Sequence, residues 1–315
     1  MTGHILALCG GVGGAKLAFG LARLLPPDRL TIAVNTGDDF EHLGLHVSPD
    51  IDTVVYTLAR LSDRVRGWGL AGETWAFMSA LGRLGGETWF NLGDTDLAMH
   101  VLRTQRLRDG ETLSRITATL GAALGLSHAI VPMSDQPVRT VMDTDVGRLP
   151  FQRYFVGEQC RPVVRAIHFE GAAQASPSDA LAQALSRQDL AGVIICPSNP
   201  YLSVDPILAV PGVRSALERV AAPIVAVSPI IGGAALKGPA AKLMAELGVT
   251  PSATAVARHY QGLLSGLVID TIDVGETAAI ADLGIAVSAT DAVMTDDGDR
   301  LRLAGETLDL VRALA

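Results

Sequence analysis

The chain has 315 residues, 49% of them hydrophobic and 18% charged, with a formal net charge of −8 at pH 7. Such a chain can bury a large core, and its acidic balance, without a basic cluster, argues against nucleic acid as a partner. No charge-free run approaches the roughly 20 residues of a membrane span, and no signal-peptide pattern begins the chain, so we expect a cytoplasmic protein without a membrane partner. Three widely spaced cysteines indicate neither a disulfide framework nor a cysteine zinc site.

The first predicted elements are a strand, a glycine turn and a helix. An apolar run from His4 to Cys9 ends at the segment GGVGGAK, residues 10–16, and helically spaced apolar residues follow. Glycine N–H groups and a helix N-terminus placed after a strand are typical of a phosphate site. A tight turn that binds no ligand is the alternative. The candidate anion-binding residues are Gly10, Gly11, Gly13, Gly14 and Lys16.

This segment departs from two familiar nucleotide motifs. A Walker A loop needs Gly-Lys-Ser/Thr, but Lys16 lies between Ala15 and Leu17. The dinucleotide fingerprint G-x-G-x-x-G begins at Gly11, but Lys16 occupies its third glycine position, and Asn35 stands near the place where an acid would bind the ribose. The missing third glycine and the missing ribose acid argue against a nicotinamide-dependent oxidoreductase.

A long acidic loop, residues 36–50, follows the second predicted strand at 30–35. Long loops inside compact domains are usually functional. The carboxylates of this loop lie beside the predicted phosphate site, and Mg²⁺ is commonly held by one or two carboxylates together with phosphate oxygens. We therefore expect a magnesium ligand among Asp39 and Asp50. The alternative is that Asp38 and Asp50 only cap turns and helices.

Four helical stretches come next, and we predict that they form an insert at about 51–128 within a single α/β domain of residues 1–315. They lie at 51–61, 73–84, 96–108 and 111–125. A polar turn flanked by aromatic residues, WFNLGDTD at 89–96, suits a flat heterocycle with a hydroxylated tail, and His100 lies one helical turn further on. A helix N-cap by Asp94 or Thr95 is an equal alternative.

The remaining residues predict a small antiparallel excursion and then a return to β–α alternation. The predicted strands lie at 138–142, 149–156, 163–169, 192–196, 223–228, 267–272 and 285–289, and a closing helix at 300–314. The strand at 192–196 leads to PSNP, with Ser198 and Asn199, and the next leads to a second glycine–lysine loop with Gly232, Gly233 and Lys237. Because ligands bind at strand carboxyl ends in open α/β sheets, we expect both loops to face the first one.

Six segments of the chain occur in the order found in CofD-like 2-phospho-L-lactate transferases of coenzyme F420 biosynthesis, a family that the chain resembles. They are GGVGGAK (10–16), NTGDDF with SPDIDTVVY (35–56), LGDTDLAMH (92–100), PMSDQPV (132–138), PSNP (197–200) and SPIIGG with KGPAAKLM (228–244). The resemblance runs from about residue 5 to 295. It implies a Rossmann-like, mostly parallel sheet core with a largely helical insert, and a homodimer.

The resemblance also implies a reaction. Family members transfer a phosphorylated three-carbon acid from a guanosine diphosphate-linked donor to the deazaflavin Fo. The ribityl 5′-hydroxyl of Fo attacks the phosphorus distal to guanosine, GMP leaves, and Mg²⁺ is required. Phosphoryl transfer of this kind needs mainly positioning and charge neutralisation from the protein.

On this reading the candidate residues divide into four groups. The first glycine loop with Lys16 holds the diphosphate, with Lys237 or the amides of Gly232 and Gly233 as a second clamp. Asp39 and Asp50 bind Mg²⁺, and Asp50 also orients the Fo hydroxyl. The remaining assignments are Asn91, Asp94 and His100 to Fo, and Ser198 and Asn199 to guanine or ribose.

Two questions stay open at this point. Gluconeogenesis-factor-like regulators of the same superfamily share the glycine loop and bind nucleotide sugars, although the LGDTD and SPD segments favour the transferase. The donor acid is phospholactate, phosphoenolpyruvate or phosphoglycerate, since discrimination at that scale depends on pocket details. We expect many members to carry a basic or glycine residue where this chain has Asn91, so the chain departs from the family pattern at this proposed Fo contact.

Overall fold

The computed structural model describes residues 3–235 and 238–315. Its strands are β1 (His4–Cys9), β2 (Leu30–Val34), β3 (Phe40–His42), β4 (Leu45–Val47), β5 (Ala129–Pro132), β6 (Arg139–Thr144), β7 (Gly147–Pro150), β8 (Val164–Glu170), β9 (Leu190–Ile195), β10 (Ile224–Val227), β11 (Ile230–Ile231), β12 (Ala234–Ala235), β13 (Gly266–Asp270) and β14 (Ala286–Thr290). Its α-helices are α1 (Gly11–Leu24), α2 (Pro49–Leu58), α3 (Ala76–Arg83), α4 (Asp96–Arg108), α5 (Leu113–Ala123), α6 (Asp179–Leu185), α7 (Asp205–Ala209), α8 (Val213–Leu217), α9 (Ala240–Glu246), α10 (Ala253–His259), α11 (Thr277–Ala281) and α12 (Asp297–Leu314).

Seven of the described strands form the central sheet, in the order β14-β13-β10-β9-β1-β2-β5. All neighbouring pairs are parallel, and β1 lies between β2 and β9 with Leu8 opposite Ala33 and Ile195. The chain leaves β1 toward β2 and later returns to its other side as β9, so the order of the sheet reverses between β1 and β9. Ligand crevices in such sheets form at this reversal, beside the strand carboxyl ends. The predicted mostly parallel α/β core is confirmed.

The central strands are apolar throughout because both faces of the sheet are covered. Every residue of β1 is buried, and its side chains alternate between two large apolar clusters. Leu6 and Leu8 face one cluster, whereas Ile5, Ala7 and Cys9 face the other, which includes α1 and α12. Within the described residues no helix is both long and apolar enough to cross a membrane.

Helix α1 begins earlier than the sequence predicted, at Gly11 rather than at Lys16. Gly10 is the extended N-cap residue, and Gly11 has a φ of +66°. A Cβ on Gly13 would lie 2.4 Å from the Pro197 carbonyl oxygen, and one on Gly14 would lie 2.4 Å from Ser198 Oγ. The close packing of α1 against the loop after β9 therefore requires these two glycines.

Four helices, α2 to α5, lie between β2 and β5 as predicted for the insert, and α4 has the predicted bounds. The antiparallel hairpin of β3 and β4 was not predicted, because its short strands mix polar and apolar residues. The antiparallel sheet β7-β6-β8 confirms the excursion. The predicted strand at 149–156 is wrong beyond Pro150, where the chain turns helical and stacks Phe151 on Phe155 at 5.3 Å between ring centroids.

Candidate functional site

A cavity of about 660 Å³ opens at the carboxyl ends of the central strands. Its walls come from the loops that follow β1, β2, β9 and β10, and from α2 and α4 of the insert. Polar groups gather on the sheet side, and aromatic rings gather elsewhere on its walls, where the lining includes Trp68, Phe90, Phe151 and Phe155. A cavity with an aromatic part and convergent polar groups suits a ligand that combines a flat ring with a polar chain.

The loops after β1 and β9 are joined by Ser198. Its hydroxyl accepts the Gly10 N–H at 3.0 Å and donates to the Gly10 carbonyl at 2.7 Å. Asn199 next to it accepts two backbone N–H groups through Oδ1, while its Nδ2 is buried and has no hydrogen-bond partner. Both residues line the cavity. The Ser198 hydroxyl is used in hydrogen bonds to the backbone, whereas Asn199 Nδ2 can still donate to a ligand oxygen.

The N-terminus of α1 faces the Asp50 carboxylate. The Gly11 N–H donates to Asp50 Oδ1 at 2.6 Å, and Asn35 Nδ2 donates to Asp50 Oδ2 at 2.9 Å. Burial raises the pKa of Asp50 to about 6, although the hydrogen bonds from Asn35 and Gly11 oppose that rise. A carboxylate thus occupies a helix N-terminus that favours anions, and both belong to the cavity wall.

The structure separates the two neighbouring aspartates of the acidic loop. Asp38 lines the cavity beside Asp50, where Gln152 Nε2 lies 3.3 Å from its carboxylate. Asp39, the predicted metal ligand, does not line it and accepts hydrogen bonds from His46 at 3.1 Å and Ser48 at 2.8 Å. Asp39 Oδ1 is buried without a partner. The carboxylate pair that faces the cavity is therefore Asp38 with Asp50.

The charge of this pair is poorly compensated. Burial raises the pKa of Asp38 well above its usual range, and the charges of Asp50 and Asp39 add to the rise. No group of three or more His, Cys, Asp or Glu side chains within the described ranges has the arrangement of a metal site. Mg²⁺ commonly binds one or two carboxylates and completes its shell with phosphate oxygens and water, so the pair fits that ion once a phosphate is bound.

The two glycines of the predicted second clamp do not line the cavity with the first loop. Lys16 lines the cavity and donates through Nζ to the Met294 carbonyl at 2.6 Å. Gly232 and Gly233 do not line it, and the Gly232 N–H donates to the Asp273 carboxylate at 3.0 and 3.1 Å. Their positive φ angles serve the tight turn between β11 and β12. Lys237 lies outside the described residues.

The insert brings Asn91 and His100 to the cavity, but not Asp94. The Asp94 carboxylate accepts the hydroxyl of Thr74 and the N–H groups of Ala76 and Phe77 at the start of α3. Asp94 therefore caps a helix that precedes it in the chain, whereas the sequence alternative placed the cap on the helix that follows.

The residues of the cavity wall that were not predicted include Asp52, Tyr56 and Asp96. Tyr56 Oη donates to Asp96 Oδ1 at 2.5 Å, and His100 Nε2 lies 3.3 Å from Asp96 Oδ2. Asp52 is paired with the buried Arg103. The sequence contained a pattern that could have indicated these residues: Asp52 with Tyr56, and Asp96 with His100, are each four residues apart. This spacing places both members of a pair on one face of a helix.

Comparisons with known proteins show what this chain and its fold are similar to. A sequence model of the family described as 2-phospho-L-lactate transferase CofD matches residues 5–301. The chain is 39% identical over 313 residues to a phosphoenolpyruvate transferase of Streptomyces griseus, covering 98% of each chain. It is 38% identical over 291 residues to a 2-phospho-L-lactate transferase of Methanosarcina mazei, covering 92% of this chain and 95% of that one. The fold is similar to a UPF0052 family protein of Bacillus halodurans, with a TM-score of 0.63, 14% identity and coverage of 98% and 99%.

Proposed function

The chain belongs to the CofD family of 2-phospho-L-lactate transferases, and on that premise we propose that it transfers a phosphorylated three-carbon acid to the deazaflavin Fo in coenzyme F420 biosynthesis. The donor is a guanosine diphosphate-linked acid, the product besides phosphorylated Fo is GMP, and the enzyme is a cytoplasmic homodimer that requires Mg²⁺. The observation that carries this proposal is the meeting of a helix N-terminus, Lys16 and two buried carboxylates in one cavity that also has aromatic walls.

The α1 side of the cavity binds the donor diphosphate in this proposal. The Gly11 N–H donates to Asp50, but the other first N–H groups of α1 have no intrahelical partner and favour anions. Lys16, on the second turn of α1, adds a positive charge on the same side, and the free Asn199 Nδ2 donates to a ligand oxygen on the guanosine side. These groups hold the phosphorus in place while the acceptor approaches.

The carboxylate pair supplies the second part of the mechanism. Asp38 and Asp50 would hold Mg²⁺, which neutralises charge on the phosphates when it is bound. Asp50, held by Asn35 and the Gly11 N–H, orients the attacking hydroxyl of Fo. The aromatic walls take the deazaflavin ring, because a flat ring packs favourably on aromatic side chains.

The identity of the donor acid stays open in this proposal. A relative named phosphoenolpyruvate transferase and one named 2-phospho-L-lactate transferase are 39% and 38% identical to the chain. Phospholactate, phosphoenolpyruvate and phosphoglycerate differ by very small groups, which a pocket discriminates only weakly unless a buried polar partner is involved.

Mass spectrometry of the product tests the proposal directly. The protein is incubated with Fo, Mg²⁺ and each guanosine diphosphate-linked donor in turn, with Asp50→Asn as the inactive control. We expect one donor to yield Fo extended by a phosphorylated three-carbon acid together with GMP. Absence of product with all three donors, combined with binding of a UDP-sugar but not of Fo, would support the nucleotide-sugar regulator instead.

A further inference from the structure

The carboxylate of Asp96 lies in the cavity wall and has hydrogen-bond acceptor positions that no protein group uses. Its side chain is 15% exposed, and each oxygen has one protein neighbour, Tyr56 Oη at 2.5 Å or His100 Nε2 at 3.3 Å. An ionised carboxylate offers about four acceptor positions, so each oxygen can accept a further hydrogen bond from a ligand.

Asp96 also carries its charge at neutral pH. Burial acts to raise the pKa of Asp96, but the adjacent His100 side chain, the hydrogen bond from Tyr56 and the charge of Arg103 together outweigh burial and lower the pKa. The start of α4 is held in place as well, because Glu73 accepts the backbone N–H of Asp96 at 2.8 Å and that of Thr95 at 2.9 Å. The result is a fixed negative charge on the insert side of the cavity.

The two sides of the cavity carry different charged groups. The α1 side has a helix N-terminus and Lys16 together with the carboxylates of Asp38 and Asp50. The insert side has Asp96, Arg66 paired with Asp63, and Asp52 paired with the buried Arg103. Among the described residues no lysine or arginine forms an ion pair with Asp96; its contact is His100. A phosphate placed beside Asp96 therefore meets a charge of the same sign.

We propose that Asp96, held by Tyr56 and His100, selects an acceptor whose hydroxylated chain is uncharged and rejects the same chain carrying a phosphate. The inference rests on the proposed function, since it concerns the acceptor of that transfer. A hydroxyl donates a hydrogen bond to a carboxylate, whereas a phosphate has mainly acceptor oxygens and the same sign of charge. Acceptor selection by charge keeps an anionic molecule out of the acceptor side and leaves the anion-binding side to the donor.

Binding measurements without donor and without Mg²⁺ test this selection. The dissociation constants of Fo and of Fo 5′-phosphate are measured by Fo fluorescence for the wild type, Asp96→Asn and Asp282→Asn. Asp282 is exposed and outside the cavity, so its variant controls for the loss of one negative charge. We expect the wild type and the control to bind Fo at least about tenfold more tightly than its phosphate, and Asp96→Asn to lower that ratio by at least about threefold, the remainder coming from Asp38 and Asp50. An unchanged ratio in Asp96→Asn, or a wild type that binds both ligands equally, overturns the proposal.

Tyr56→Phe provides a second variant that keeps the charge. It removes the hydrogen bond to Asp96 Oδ1 and changes little else in volume. We expect it to keep the wild-type binding ratio and to raise KM for Fo without changing KM for the donor. Loss of the ratio in Tyr56→Phe would mean that the charge of Asp96 is not the cause. Failure of the wild type to transfer any acid to Fo refutes the proposed function alone, because the binding ratio is read without turnover.

Discussion

Arg103 is buried between α2 and α4, and we predict that its replacement by methionine destabilises the protein strongly. Its side chain is 2% exposed, and both terminal nitrogens donate to the Asp52 carboxylate, Nη1 at 3.1 Å. Nη1 also lies 3.4 Å from the His46 carbonyl. Methionine fills much of the same space, but it leaves Asp52 buried without an opposite charge.

The cost follows from this uncompensated charge. Removing one partner of a buried ion pair costs about 3–5 kcal/mol of the free energy of unfolding. With an unfolding entropy of about 2.1 cal/mol/K per residue, a chain of 315 residues then loses roughly 5–8 °C in melting temperature.

The loss of stability in Arg103→Met depends on pH. Burial raises the pKa of Asp52 even beside Arg103, and loss of the arginine raises it further. A carboxyl whose pKa is raised in the folded state keeps its proton longer there than in the unfolded chain. Stability is therefore lost as the pH rises above the ordinary aspartate pKa of about 3.9, and the deficit of Arg103→Met is smaller near pH 5 than near pH 8.

Thermal unfolding of three variants provides the assay. Arg103→Met is compared with Asp52→Asn and with the double variant, which contains no buried charge at this position. We expect the double variant to regain at least about half of the deficit of Arg103→Met, because the two changes act on one interaction. A melting temperature of Arg103→Met within about 1 °C of the wild type, or strictly additive losses in the double variant, would refute the reasoning.

Three further predictions concern the cavity. Asp38→Asn lowers the rate of Mg²⁺-dependent transfer more than Asp39→Asn does, because Asp38 lines the cavity and Asp39 forms hydrogen bonds with neighbouring side chains. Steady-state rates at saturating Mg²⁺ measure this order, and the reverse order contradicts the assignment. Lys16→Ala weakens binding of the donor more than binding of Fo in isothermal titration, and an equal loss for both ligands would exclude a role toward the diphosphate. Gly13→Ala lowers the free energy of unfolding by about 1–3 kcal/mol in a denaturant titration, because the new Cβ would lie 2.4 Å from the Pro197 carbonyl oxygen. Gly82→Ala in α3 is the control: its Cβ would lie 3.5 Å from Thr88, so we expect a neutral or stabilising effect in the same titration.

The central sheet was predictable because its strands are covered on both faces and are therefore uniformly apolar. The loop with Gly10 and the loop with Ser198 could also be placed together from the sequence, because the carboxyl ends of parallel strands lie at one edge of the sheet. The prediction of secondary structure failed where the spacing of apolar residues is compatible with both a strand and a helix. Phe151 and Phe155 are compatible with a strand or a helix, and their stacking in a helical turn followed from the packing around them.

By itself, the sequence determined that a glycine-rich turn after the first strand faces an acidic loop, a combination typical of a metal-assisted phosphate site. Only the tertiary structure decided which aspartate faces the cavity, because Asp38 and Asp39 are adjacent and nothing in the sequence orients their side chains. It also decided that Gly13 and Gly14 serve helix packing. Tyr56 and Asp96 meet across 40 residues of chain, and such a contact depends on how α2 and α4 pack, which local patterns of sequence do not specify.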